Sequence, residues 1–384
     1  MRKKRVAVLG ATGSVGINTL RVIERFPDRF EVAALTAYNN ISVLQKQARR
    51  FKPDYLAFSR EHFSCLKEKF GRNVDFFDVE TGLAELVARR DIDIVVIAMS
   101  GAAALAPFLR AAQAGKIIAP SNKEALVMAG DIIMAEASKA GARVIPVDSE
   151  QSAIFQCLDG RKDLADLKSI HLTASGGALC NVPLAKQDKL SMRQILAHPR
   201  WRMGAKITVD SATLMNKGFE VIEAMRLFDL TADQVDVLVH PEAVIHSMVE
   251  FNDGACLAQL GVTDMRLPIQ YALTYPDRLP TGLRHLDLAE LKTLTFKKPD
   301  TRTFPALALA YHVAKKGGIF PAVLNAADEV AVEAFLQGKI TFTSIYKVVE
   351  KVVMNFKTVK MPSLRNIQQA DQESRLKAKG YLKG

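Results

Sequence analysis

The stretch RVAVLGATGSVG, residues 5–16, decides the fold. Apolar Val6 to Leu9 run into Gly10, Gly13 and Gly16, and the residues that follow, up to Phe26, keep apolar side chains at helical spacing. A strand that turns through glycines into a helix is the opening of a nucleotide-binding βαβ unit, because glycine lets the backbone approach a pyrophosphate held at the helix N-terminus. The spacing here is GxxGxxG, and a merely tight turn is the competing reading.

Working outward, the apolar runs EVAALT (31–36), DYLAF (54–58), DIVVIAM (93–99), KIIA (116–119) and ARVIPV (142–147) alternate with helical patterns over 13–26, 42–51 and 124–140. Near-continuous apolar strands between helices predict an α/β unit with a doubly wound, Rossmann-like parallel sheet covered on both faces, over residues 1–147. After Val147 the pattern becomes less regular. KSIHLTASGG, KITVDS, DVLVH and SMVEF read as strands and 214–228 as a helix, predicting a central α+β catalytic domain over 148–274. Pro276, Pro280, Gly282 and Pro299 punctuate a linker, 275–303. Beyond it, Val323, Ala327, Val330 and Ala334, then Ile345, Val349, Val352 and Phe356, recur at helical spacing, so 304–384 reads as a C-terminal helical bundle.

Composition narrows the function. With 384 residues, 49% hydrophobic and 24% charged, the chain exceeds one ordinary domain and is not disordered. The longest nearly apolar run, Ile94 to Leu109, is broken by Ser100, Gly101 and Pro107 and is too short to span a bilayer. Arg2 to Arg5 precede too few apolar residues for a secretory signal, so a cytoplasmic location is expected. Cys65, Cys157, Cys180 and Cys256 are too scattered for a zinc knuckle and read as reduced thiols. A formal charge of +11 suits nucleic acid, an acidic membrane or phosphorylated small molecules. Its densest parts are the two ends, without interleaved aromatics, so neither nucleic acid nor membrane is expected as a partner.

Several clusters carry chemistry. Asp148 and Glu150 follow the strand ARVIPV; two apart in extended chain they share a face and can converge on a hard cation, a polar loop being the alternative. On the helix 214–228, Asn216, Glu220 and Glu223 fall on one arc of an element apolar nearly all round, which favours an enclosed role over an exposed one. Lys217, with Ser211 and Thr213, suits a phosphate at a helix N-terminus, or simple capping. Ser175 adds a hydroxyl beside Gly176 and Gly177, and lacks the partners of a nucleophilic serine. Ser121 and Glu124 match a capping box, which leaves Lys123 over. His198, Trp201 and Met203 lie in a polar stretch, 180–206, that reads as a lid or as satellite packing. Thr36 to Asn40 hold no carboxylate at the end of the second strand, which tilts the cofactor toward NADP.

Taken in order, GATGSVG (10–16), SNKEAL (121–126), PVDSE (146–150), TASGG (173–177), HPRWRMG (198–204), VDSATLMNKGFE (209–220) and HPEAVIHSMV (240–249) make the chain resemble the 1-deoxy-D-xylulose 5-phosphate reductoisomerase family over essentially its whole length. The resemblance implies NADPH- and metal-dependent rearrangement and reduction of 1-deoxy-D-xylulose 5-phosphate to 2-C-methyl-D-erythritol 4-phosphate. It implies that Thr12, Gly13, Ser14, Val15, Tyr38, Asn39, Asn40, Asn122, Glu124 and Gly204 line the NADPH site, and that Asp148, Glu150 and Glu220 bind Mg or Mn. Lys123, Ser149, Glu150, Ser175, His198, Trp201, Ser211, Asn216, Lys217 and Glu220 would hold the phosphorylated sugar, with Trp201 on a flap over 178–206 and Lys123 beside the three carboxylates in the catalytic set. A homodimer is expected. Two departures stand out: Tyr38 and Asn39 replace the family's usual glycine and lysine, and Ala178 and Leu179 follow Gly177 where proline and phenylalanine are usual. The rival readings are a simpler NADP-dependent sugar-phosphate or semialdehyde dehydrogenase, which needs no three-carboxylate site, and a cofactor-sensing regulator that binds nucleic acid.

Overall fold

The computed structural model describes residues 2–70, 74–159, 161, 163–201, 203–359 and 361–382, without the side chains of Cys65 and Lys67. The Cys65 thiol and Arg202, in the expected flap, therefore lie outside the described residues. The chain forms two compact units, Met1–Ala125 with Asp131–Ser152 and Asp264–Leu283, and Leu126–Gly130 with Ala153–Thr263 and Arg284–Gly384.

In the first unit, the apolar runs become strands β1 (Lys4–Leu9), β2 (Phe30–Thr36), β3 (Tyr55–Phe58), β4 (Asp75–Asp78), β5 (Ile94–Ile97), β6 (Ile117–Pro120) and β7 (Arg143–Val144). They pair in parallel in the order β4-β3-β2-β1-β5-β6-β7. Val6 to Leu9 and Ile94 to Ile97 are wholly buried, as expected of central strands covered on both faces. Strand order reverses between β1 and β5, and open α/β sheets bind ligands at the carboxyl ends of strands flanking such a reversal. Two details differ from the sequence reading. β4, only DFFD, was too short to stand out. ARVIPV contributes just two strand residues, although the Ile145 and Val147 amides continue the ladder to the Ile118 and Pro120 carbonyls, both at 2.9 Å; Pro146 between them has no N–H to donate. The helix Arg266–Thr274 packs on Ser14–Arg25, and Arg29 pairs with Asp277 at 2.6 Å.

The second unit is built on β8 (Leu167–Ala174), β9 (Val235–Val239), β10 (Ile245–Phe251) and β11 (Cys256–Leu260), ordered β11-β10-β8-β9, with β8 and β9 parallel and the other pairs antiparallel. KITVDS, read as a strand, belongs instead to the helix Ala205–Thr213. Its buried positions Thr208, Val209, Ala212 and Thr213 follow helical spacing, and the Ile207/Val209 alternation was too brief to discriminate. The helix Met215–Phe228 follows after Leu214, which takes a left-handed conformation at φ 62°. The C-terminal helices are Pro305–Lys316, Phe320–Leu336, Phe342–Met354 and Leu364–Tyr381, and Val323, Ala327, Val330 and Val349 join the sheet and site helices in one apolar core.

Met215–Phe228 and Pro305–Lys316 approach closely because Gly218 has no side chain: a Cβ there would lie 2.4 Å from the Ala310 Cβ. Overpacking of this kind costs about 1–3 kcal/mol. Gly218→Ala should lower stability in urea denaturation by that amount, and adding Ala310→Gly should restore part of it. An unchanged midpoint in the single variant would show that the helices part freely.

Candidate active site

At the carboxyl end of β1, Gly10 takes φ +80°, and a Cβ there would stand 2.7 Å from the Ala98 carbonyl oxygen; one on Gly16 would stand 2.3 Å from that of Gly10. Both glycines are dictated by packing. Gly13 is not, since its Cβ would meet nothing closer than 3.5 Å, and it caps a helix with no side-chain cap and no acidic residue in its first turn. The turn therefore offers first-turn amides and a helix dipole to an anion, which is the fit a dinucleotide pyrophosphate requires.

Loop 99–101, beyond β5, is knitted to the start of the helix Glu124–Ala140. Asn122 Nδ2 donates to the Met99 and Gly101 carbonyls, each at 3.1 Å, and Glu124 Oε1 accepts from the Gly101 amide at 3.1 Å. The expected Ser121–Glu124 capping box is replaced: Asn122 Oδ1 accepts from the Ala125 amide at 2.9 Å, and its Nδ2 donates to Glu124 at 2.8 Å. A side chain one residue further on reaches the same orphan amides, which sequence spacing does not exclude. Lys123, 5% exposed, places its ammonium 2.9 Å from Asp148.

Asp148 and Glu150 do not converge through extended chain. The helix Ser149–Cys157 begins between them, and Asp148 caps it by accepting from the Glu150 amide at 3.2 Å. A short acidic side chain satisfies orphan amides at a helix start better than it sits in a strand, and this sets Glu150 in the first turn. Ser149 donates to Glu150 at 2.5 Å.

Glu220, 1% exposed, accepts from Asn216 Nδ2 at 2.5 Å and from the Lys217 ammonium, which also donates to the Thr173 carbonyl at 2.6 Å. The enclosed role expected for Glu220 and Glu223 holds, Glu223 being fully buried. Thr213 is a cap, its hydroxyl accepting from the Met215 amide at 3.2 Å. Asp148 and Glu220 are buried and Glu150 is half-buried, so each of the three carboxylates is partly or wholly withdrawn from water. An all-oxygen, partly buried triad is the donor set that a hard divalent ion takes.

Ser175 Oγ lies 3.0 Å from His198 Nε2. His198 Nδ1 accepts from the Arg200 and Trp201 amides at 3.2 and 2.9 Å, so the neutral ring carries its proton on Nε2 and donates to Ser175. Burial pushes the His198 pKa down, favouring that neutral form. Gly177, φ +66°, is fixed by contact: a Cβ there would meet the Ser211 carbonyl at 2.6 Å, which ties the Ser175 turn to the helix bearing Ser211. Gly204 caps that helix. Within the expected flap, Leu179 and Ile195 are buried, whereas Trp201 is half-buried with its ring 6.3 Å from that of His246.

Other residues carry signals that the sequence left unread. His246 sits on β10 within HPEAVIHSMV and was assigned no role; it is 7% exposed, and burial, reinforced by the charge of Lys217, pushes its pKa to about 4. At the end of β2, Asn40 caps the helix Ile41–Phe51, while the exposed Tyr38 hydroxyl donates to Glu80 at 2.9 Å. The carboxylate that Thr36 to Asn40 lack thus arrives from beyond β4, where no local spacing would locate it.

A glycine turn at the switch point of a Rossmann-type sheet, together with three buried or half-buried carboxylates, defines a nucleotide-dependent oxidoreductase assisted by a divalent metal. Models of 1-deoxy-D-xylulose 5-phosphate reductoisomerase match residues 6–130, of its C-terminal domain 144–228, and of the DXP reductoisomerase C-terminal domain 260–377. The chain is 47% identical to the 1-deoxy-D-xylulose 5-phosphate reductoisomerase of Thermoanaerobacter pseudethanolicus over 99% of this chain and 100% of that one. It is 48% identical to that of Desulfosudis oleivorans with the same coverage. A crystal structure of DOX-P reductoisomerase in complex with NADPH, fosmidomycin and magnesium aligns with TM-score 0.95 at 39% identity, covering 99% of this chain and 98% of that one. The Zymomonas mobilis enzyme in complex with NADPH gives 0.91 at 40%, covering 99% of both. The chain belongs to the 1-deoxy-D-xylulose 5-phosphate reductoisomerase family.

His246 makes a pH test. Its folded pKa, about 4, lies below the ordinary 6.5, so its contribution to stability is complete above pH 6.5 and is lost as pH falls from there toward 4. At about 1.4 kcal/mol per pH unit the loss is on the order of 3 kcal/mol. Urea denaturation across that window should show the decline, and His246→Asn should flatten it.

Proposed function

We propose that this protein uses NADPH and a divalent metal ion to rearrange and reduce 1-deoxy-D-xylulose 5-phosphate to 2-C-methyl-D-erythritol 4-phosphate, a step of non-mevalonate isoprenoid biosynthesis. The observation that carries this reading is a set of three carboxylates, Asp148, Glu150 and Glu220, each buried or half-buried, which a simple hydride-transfer dehydrogenase does not need. The names of the relatives, and the NADPH and magnesium in the solved structures, point the same way.

Asp148, Glu150 and Glu220 hold the ion, which supplies Lewis-acid polarisation of adjacent substrate oxygens, while NADPH supplies hydride. Lys123 neutralises Asp148 and, with Ser149, orients the reacting end of the sugar. Ser175, His198, Ser211, Asn216 and Lys217 take the phosphate. For Ser175, His198 supports this role by donating from Nε2, which leaves the Ser175 hydroxyl its own proton to give to an anion. Thr12, Gly13, Ser14 and Val15 bind the pyrophosphate, Tyr38, Asn39 and Asn40 the adenosine end, and Asn122, Glu124 and Gly204 the rest of NADPH. In this division of labour residues 1–147 bind cofactor, 148–274 bind metal and substrate under the 178–206 flap, 275–303 link, and 304–384 support the site. No helix of the described residues is long and apolar enough to cross a membrane. On the proposed reading the enzyme works in the cytoplasm as a homodimer. The open edge of β11, with Leu257 48% exposed, is a sheet edge that a second copy would cover.

Four outcomes test this. NADPH oxidation should require both the sugar phosphate and divalent ion, and a chelator should abolish it. Glu220→Gln should fold yet lose most of the rate, with partial recovery in excess Mn; full activity at low metal would remove Glu220 from the ligand set. Lys217→Met should lower kcat/KM for the sugar by about 10- to 100-fold, the scale of a lost charge-assisted hydrogen bond, with NADPH affinity nearly unchanged. NADPH should be preferred over NADH, and Glu80→Gln should widen that preference by removing a charge that repels a 2′-phosphate; an unaltered ratio of dissociation constants would show that Glu80 is too far away to matter.

A further inference from the structure

We infer that Asp328, on the helix Phe320–Leu336, is a positioning residue that acts through Lys206 on the helix carrying Ser211; the inference rests on the assignment of Ser211 to the substrate site. Lys206 Nζ lies 2.6 Å from Asp210 Oδ2, one turn along its own helix, and 2.9 Å from Asp328 Oδ2. The two carboxylates are 4% and 0% exposed and the lysine side chain 27%. The same ammonium stands 4.8 Å over the ring of Phe219, the residue before Glu220. One cation thus ties together the start of the Ser211 helix, the Glu220 helix and the C-terminal bundle.

Stability alone does not account for this arrangement. Ala327, Val330 and Ala331 beside Asp328 are buried and apolar, and an apolar side chain in place of a buried ion pair is commonly as stable or more so. What a buried polar contact supplies in the best-attested cases is register, as where one buried polar residue fixes the alignment of packed helices. Burial pushes the Asp328 carboxyl up, and Lys206 opposes that shift. A second tether lies at the other end of the same segment: Asp188 accepts from the Thr343 amide at 2.8 Å and from its hydroxyl at 2.7 Å, in the first turn of Phe342–Met354. Between Asp188 and Lys206 lie His198 and Trp201. The bundle therefore holds both ends of the segment that carries these two residues, and it also holds, through Lys206, the helix that presents Ser211.

The test uses the full chain with Asp328→Asn, Lys206→Gln and the double variant. Trp201 is the single tryptophan, so its emission reports on the tethered segment. Each single variant should lower kcat/KM for 1-deoxy-D-xylulose 5-phosphate by about tenfold, mainly through KM, with NADPH affinity within about twofold of wild type. Trp201 should become more accessible to acrylamide without any ligand, and the double variant should be no worse than the poorer single one. Wild-type kcat/KM and quenching in a folded Asp328→Asn would overturn the inference. Failure of both single variants to fold would also overturn it, by making the triad purely structural. Should wild type ignore the sugar phosphate, the functional assignment fails instead, and acrylamide quenching still decides the role of Asp328.

Discussion

A carboxylate taken out of water must meet a cation or take up a proton, and the site of this protein is arranged around that requirement. Asp148 is met by Lys123, Glu220 by Lys217, and Asp210 with Asp328 by Lys206. In the first two cases the lysine is itself almost fully buried, at 5% and 3% exposure, so both members of each pair are withdrawn from water together. Metal and phosphate chemistry need charge in a water-poor site. Pairing these four carboxylates with lysines lets the fold hold that charge before any ligand arrives.

The elements that deliver these groups are ordinary. Parallel strands buried on both faces bring β1 and β5 together, so that Gly10 and the 99–101 loop meet at the switch point, and Asn122 and Glu124 lock the next helix to that loop. In the second unit, Gly218 lets the Glu220 helix rest on Ala310, while Gly177 lets the Ser175 turn rest on the backbone of Ser211. Site geometry therefore depends on close backbone approaches at least as much as on the polar contacts they permit.

Histidines divide by what their neighbours donate. His198 takes two backbone amides on Nδ1 and is left with a proton to give from Nε2. His240 does the reverse, accepting the Val244 and Ile245 amides on Nε2 and meeting the Thr295 carbonyl through Nδ1, while its ring stacks on Phe296 at 4.9 Å. Its role is to shape the loop before β10. His246 is neutral by burial. Their tautomers and charges are properties of place, and residue type alone does not distinguish them.

By itself the sequence determined the Rossmann-like sheet, the helical C-terminus and the glycine turn, and it singled out Asp148, Glu150, Glu220, Lys123 and Lys217. Each of these is written in a short-range pattern: apolar runs, helical spacing, or a motif contiguous along the chain. It misread KITVDS, and it joined Asp148 and Glu150 through extended chain, because a few alternating residues or a DxE suit a helix start as well as a strand. Only the tertiary structure decided that Lys217 turns to Glu220 and Thr173, that Glu80 reaches Tyr38, and that Asp328 answers Lys206. Apart from the Lys217–Glu220 contact, those partners lie tens of residues apart, and which charges meet is set by how helices and strands pack, a matter on which local periodicity carries no information.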